Sequence, residues 1–142
     1  KENIRKGSLV SNTKFDISAQ IKSTEKNISM IVDIIPKKDI KDTTISLFLD
    51  RDTGEQVYRF SLDERTGQAY NFEKDKKLQI SVELQNIFPN GIFTLRASVK
   101  STDRSREYLV ASNLAHFEID RSLTGRSGWD IHWQPKETYS IE

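Results

Sequence analysis

Cysteine is absent from the chain. Its absence excludes disulfides, thiolate nucleophiles and thiolate metal sites, and fits a reducing compartment without requiring one. Histidine is scarce: His116 and His132 are the only two, and they do not form a two-histidine ligand spacing. A transition-metal site would have to rest on carboxylates that no motif brings together, so neither metal nor cofactor is expected. Long apolar runs are missing too. The longest, Ile28 to Ile35, is broken by Ser29 and Asp33, far short of the roughly 20 apolar residues of a membrane-spanning helix. The phosphate loop G-x-x-x-x-G-K-S/T is absent, and the glycine pair Gly125 and Gly128 lacks the lysine that would reach a phosphate, so nucleotide hydrolysis is not expected of these residues. Charge of one sign is lacking as well. Twenty-two Lys and Arg stand against 21 Asp and Glu, mixed along the chain, which gives no field able to gather nucleic acid.

What remains is a chain of 142 residues, 35% hydrophobic and 30% charged, long enough for one core that buries roughly 70% of the surface exposed by the unfolded chain. It begins at a lysine without a charged-then-apolar leader, and is expected to be a piece of a longer polypeptide. Residues 1–13 are polar and read as a linker or a loosely attached first strand. From Phe15 onward apolar residues recur with period two: Phe15, Ile17, Ala19 and Ile21, then Ile28, Met30, Val32 and Ile34, then Ile45, Leu47 and Leu49. Such short alternating runs predict half-buried strands. Asp50 to Glu55 is a turn by composition and predicts a hairpin between 44–49 and 56–62. Leu78, Ile80, Val82 and Leu84 alternate next, followed by the Pro and Asn-Gly chemistry of 86–91 and by Phe93, Leu95, Ala97 and Val99. Residues 108–111 and 115–120 read as the last two strands, or as one strand with a bulge. No window carries a helical stripe.

Seven or eight short strands with evenly spaced turns predict an all-β fold over 14–120: an antiparallel two-sheet sandwich of immunoglobulin-like or jelly-roll type, with a barrel as the alternative. Residues 121–142 form a C-terminal tail, either docked as a strand or exchanged between chains. The acidic turn 50–55 departs from a calcium loop at Thr53 and has no glutamate at the twelfth place. No catalytic set of serine, histidine or paired carboxylates stands out, and no enzyme activity is expected.

Three stretches carry a family resemblance: the strand, acidic turn and strand of 45–57, the strand 78–84 running through Asn86-Ile87-Phe88-Pro89-Asn90-Gly91 into 92–95, and the closing strand His116-Phe117-Glu118-Ile119. In this order they resemble the C-terminal carbohydrate-binding domain of the ATP-binding subunits of Wzt-type polysaccharide ABC exporters. The likeness covers roughly 28–120. It implies a cytoplasmic β-sandwich, working at the inner face of the cell membrane, that recognises an exported glycan such as O-antigen or cell-wall polysaccharide. Its implied partners are that polysaccharide or lipid-linked glycan, the ATPase domain and membrane permease of the exporter, and a second copy in a homodimer, sometimes with an exchanged terminal strand. The tail, with both tryptophans, does not align to that exchanged strand.

Sugar sites combine an aromatic face with planar or forked hydrogen-bonding groups. If Leu47, Leu49, Leu95, Ala97, Val99, Phe117 and Ile119 face inward, alternation turns Ser46, Phe48, Arg96, Ser98, His116 and Glu118 outward. In an immunoglobulin-like strand order Phe48, Arg96, Ser98, His116 and Glu118 share one face, flanked by Arg59 and Ser61 from the hairpin partner, and the candidate carbohydrate-binding residues are Phe48, Arg59, Arg96, Ser98, His116 and Glu118. The competing account leaves Phe48 covered by the tail and Arg96 paired with Glu118 as an ordinary cross-strand pair. Trp129 and Trp133, four apart, would act together, either stacked on sugar or as an anchor of the tail to its own domain or to a dimer mate. A protein-interaction or dimerisation sandwich is the alternative function.

Overall fold

In the structure, a computed structural model, the alternating runs become strands with one buried side. Phe15, Ile17, Ala19 and Ile21 are buried, as are Ile28, Met30, Val32 and Ile34, and Leu78, Ile80, Val82 and Leu84. Each such large apolar side chain contributes about 1.5–3 kcal/mol by leaving water. The structure describes residues 3–120 and 135–142. Trp129 and Trp133, and the larger part of the tail, lie outside the described residues.

Along the described chain run β1 (Asn3–Lys6), β2 (Val10–Ser11), β3 (Phe15–Ser23), β4 (Asn27–Pro36), β5 (Ile40–Arg51), β6 (Gln56–Ser61), α1 (Leu62–Thr66), β7 (Tyr70–Phe72), β8 (Leu78–Gln85), β9 (Gly91–Ser101), β10 (Glu107–Ile119) and β11 (Glu137–Ile141). They make two antiparallel sheets. The larger has the order β1-β3-β4-β8-β11 with β2 also on β3, and the smaller has the order β10-β9-β5-β6 with β7 also on β5. Both sheets are open, so the fold is the expected sandwich and not the barrel. The inner faces meet in one core that includes Phe15, Phe60, Phe72, Phe88 and Phe93.

Several details differ from the sequence reading, each for a local reason. The described residues hold eleven strands, because β1, β2, β7 and β11 are short and carry little alternation of their own. The predicted hairpin strand ends at Ser61, and Leu62 opens the five-residue helix α1, too short to display a helical stripe. The helix stops at Gly67, in the left-handed region at φ 71°, whose N–H bonds to the Asp63 carbonyl. Residues 86–91, with their Pro and Asn-Gly chemistry, are an inter-sheet connection. They carry the chain from β8 in one sheet to β9 in the other. The two alternatives for the last strand resolve into one, β10, with a register shift between Ala111 and Ala115.

The central strand β5 is covered on both sides along part of its length. Thr44, Ser46, Ser61 and Ser98 sit at outward positions yet are buried. Thr44 donates its hydroxyl to Asp63 at 2.7 Å, and Ser46 and Ser61 bond to each other at 3.0 Å. The Ser98 hydroxyl is buried and has no hydrogen-bond partner among the described residues.

The sandwich is tied at its margins. At Gly7 the chain passes so close to β10 that a Cβ would stand 2.0 Å from the Leu114 carbonyl oxygen. The Ser8 N–H bonds to that same oxygen at 3.1 Å, joining the β1–β2 connection to the smaller sheet. At the opposite margin β11 pairs with β8, and Glu137 reaches across to the other sheet. It accepts two hydrogen bonds from the Arg65 fork, each 2.9 Å, and one from the Tyr58 hydroxyl. Tyr139 packs edge-on against Phe60 at 5.5 Å and donates to the Arg65 carbonyl.

Two stability predictions follow from these contacts. The Arg65 fork, aided by Tyr58, holds the Glu137 carboxyl below its ordinary value, so the unfolded chain binds the proton more tightly than the folded one. Its stabilisation is complete above the ordinary carboxylate range, about pH 4.3, and is lost as pH falls through the folded value. Glu137→Gln should therefore cost about 2 kcal/mol at pH 7 and flatten the acid limb, as urea unfolding at pH 7, 5 and 3 would show. Ser98→Ala removes a buried, unpartnered hydroxyl and should raise stability by about 1 kcal/mol, seen as a higher urea midpoint at unchanged slope.

Candidate functional site

The outward face of the smaller sheet is set by strand register. Thr43 to Arg51 of β5 pair without interruption with Ser101 to Phe93 of β9, which puts Phe48 opposite Arg96. On the other side of β5, Phe48 lies opposite Arg59 of β6. Arg59, Phe48 and Arg96 thus form one row across three strands. His116 of β10 lies opposite Thr94, Glu118 opposite Ile92, and Ser98 opposite Ser46. The six candidate residues share this face, with two differences in role. Ser98 is 4% exposed, beneath the surface a ligand would meet. His116 and Glu118 are exposed and stand nearer the Gly91 end of the sheet.

Phe48 is half-buried, and what lies on it is Arg96. The guanidinium carbon sits 4.1 Å from the ring centroid, an arrangement in which the negative ring face attracts the cation. Arg96 is held from the side by Asp50, with Nε donating to Oδ2 at 2.9 Å and Nη2 to Oδ1 at 3.4 Å, and Nη2 also reaches Gln56 Oε1 at 3.4 Å. The partner of Arg96 is therefore Asp50 rather than Glu118. Asp50 stands two residues after Phe48 on the same side of β5, beyond a bulge between Leu49 and Asp50 on the β6 side. By composition Asp50 belongs to the turn, although its even spacing from Ser46 and Phe48 is the signal that it faces outward. Gln56 left no such signal, because it opens β6 directly after the turn.

Arg59 donates to Glu64 of α1. Arg104, in the β9–β10 turn, donates from Nη1 to Asp63 Oδ2 at 2.9 Å. At the β6 margin a shallow cleft of about 450 Å³ is lined by Gln56, Tyr58, Arg59, Arg65, Pro135 and Glu137. Tyr58 stays protonated there, since burial and then the bond to Glu137 push its hydroxyl well above the ordinary value. The face thus offers a fixed aromatic–guanidinium pair, carboxylate and amide acceptors, and an adjoining polar cleft. Such an array can exchange hydrogen bonds with a polyhydroxyl ligand. Among the described residues no group of three His, Asp or Glu side chains converges as a metal site would need.

No family model and no curated protein matches the chain. Among solved structures it is similar to a β-glucosidase from Kluyveromyces marxianus, with TM-score 0.46 and 14% identity over 92% of this chain and 15% of that one. It is also similar to the C-terminal domain of Wzt, with TM-score 0.57 and 6% identity over 66% of this chain and 59% of that one. The chain spans less than two thirds of that domain structure, and over the shared part it has the β-sandwich fold of the Wzt C-terminal domain.

Proposed function

We propose that the chain is a non-catalytic carbohydrate-binding module that recognises a polysaccharide for ATP-driven export across the cell membrane. The observation that carries this reading is the Arg59–Phe48–Arg96 row on an outward sheet face, in a domain with the fold of the Wzt C-terminal domain. The row groups an aromatic ring with forked donors, while Asp50, Gln56 and Glu118 supply acceptors. Sugar hydroxyls, which both donate and accept, match such a mixture. Because each hydroxyl trades water for protein, affinity is modest. In this reading the module works at the inner face of the membrane, beside an ATPase domain and a permease, as part of a dimer.

A protein-docking or dimerisation role is the second reading. It is favoured by Ile92 and Val110, 49% and 43% exposed at outward positions of the same sheet.

The deciding experiment titrates the purified domain with fragments of the producing cell's surface polysaccharide, following backbone amide shifts and product formation together. The expected result is saturable shifts clustered at Phe48, Arg96 and His116, no change in the glycan, and binding weakened about tenfold in Phe48→Ala, where Arg96 loses its platform. An absence of shifts across the fragments overturns the carbohydrate reading in favour of the docking one, and cleavage of the glycan overturns the non-catalytic assignment.

A further inference from the structure

The outward face carries guanidinium groups whose charges are already answered by carboxylates of the same chain. Arg96 is bonded to Asp50, Arg59 to Glu64, and Arg104 to Asp63, with Glu64 at 3.7 Å. These pairs are not sealed off: the Arg96 and Asp50 side chains are 33% and 23% exposed, and those of Arg59 and Glu64 are 45% and 44% exposed. A ligand can reach them, but it meets a paired fork and not a free cation.

That pairing discriminates by chemistry. A uronate carboxylate or a phosphate on a glycan would compete for the Arg96 fork with Asp50, which is tethered in place by the β5–β9 register. Winning the fork would leave the half-buried Asp50 without its partner, and an anion that did not displace Asp50 would lie against a like charge. A sugar hydroxyl has no such conflict. It can accept from an Arg96 N–H left over by the pair and donate to an Asp50 oxygen at the same time, so neighbouring hydroxyls bridge the pair without breaking it. Arg96 also covers the Phe48 ring, so the ligand meets the edge of a stacked guanidinium and not a bare aromatic face.

We infer that the face selects uncharged polysaccharide and rejects acidic polysaccharide, with Asp50 as the residue that sets this preference. The inference rests on the carbohydrate-binding reading above and deepens it.

The test uses partial hydrolysates of the producing cell's surface polysaccharide, divided by anion exchange into an uncharged and an acidic fraction. Each is titrated by calorimetry and amide shifts at 50 mM and 500 mM NaCl. The expected result is binding of the uncharged fraction with less than about a twofold change between the two salts, since no net charge is neutralised. Arg96→Ala should weaken that binding about tenfold. Asp50→Asn frees the Arg96 fork while keeping its shape, and should bring binding of the acidic fraction into range. Circular dichroism confirms that both variants fold. Binding confined to the acidic fraction, weakening steeply with salt, overturns the inference and leaves the carbohydrate reading standing. Unchanged discrimination in Asp50→Asn overturns the role of Asp50. Binding of neither fraction overturns the carbohydrate reading itself, and this inference with it.

Discussion

The pairing of β5 with β9 is the constraint on which both the core and the site depend. Over Thr43–Arg51 the register runs unbroken, with Ile45, Leu47 and Leu49 turned into the core and Phe48 turned out beside Arg96. Because side chains alternate across a sheet, a slip of β5 by one residue would send Phe48 inward, away from Arg96, and expose Ile45, Leu47 and Leu49. The burial of those apolar residues fixes the register far more firmly than any polar contact could, since each is worth about 1.5–3 kcal/mol. The geometry of the outward face is therefore a by-product of core packing. Phe48 is beside Arg96 because Leu47 is beside Ala97 and Leu49 beside Leu95.

This dependence explains which parts of the molecule could be read from sequence. The strands β3, β4, β5, β8 and β9 were legible because their inward residues are apolar in strict alternation, and alternation also assigned the outward side of Phe48, Arg96, His116 and Glu118. What alternation cannot supply is the third dimension. It left Ser46, Ser61 and Ser98 as surface residues, although they are buried, because a serine has the same signature whether it meets water or protein. It also offered Glu118 as the partner of Arg96, where Asp50 is the actual one. Asp50 belongs by composition to the turn, and which of two nearby carboxylates a flexible arginine reaches depends on bulge and twist as much as on spacing.

The margins of the sandwich were the least legible, for a related reason. β11 spans Glu137–Ile141, with a single aromatic, the exposed Tyr139, and no alternation to distinguish it from a polar tail. Its place is set by contacts far away in sequence: Glu137 with Arg65 and Tyr58, Tyr139 with Phe60. These contacts couple the larger sheet to β6 and α1 of the smaller one, next to the cleft that adjoins Arg59. At the other margin a missing side chain does comparable work, because Gly7 allows the chain to approach Leu114 closely enough for the adjacent amide to bond its carbonyl. A lone glycine in a polar segment gives no hint of that approach until the fold is known.

The outward ion pairs contribute little to holding the molecule together, since exposed pairs are generally worth about 0–1 kcal/mol. Their consequence lies in order. A free arginine on a sheet surface samples many rotamers, and fixing it on binding costs about 0.5–1.5 kcal/mol. Arg96 is held from beneath by Phe48 and from the side by Asp50 and Gln56, so most of that cost is met during folding. For a ligand made of hydroxyls, each of which gains only a small net free energy on leaving water, an ordering cost of this size would cancel roughly one contact. A pre-set fork keeps the contacts that remain favourable. Under the proposed carbohydrate-binding role the ligand's unit recurs along its chain, so a site of modest strength has many equivalent registers to occupy, and a pre-ordered face suits such a ligand.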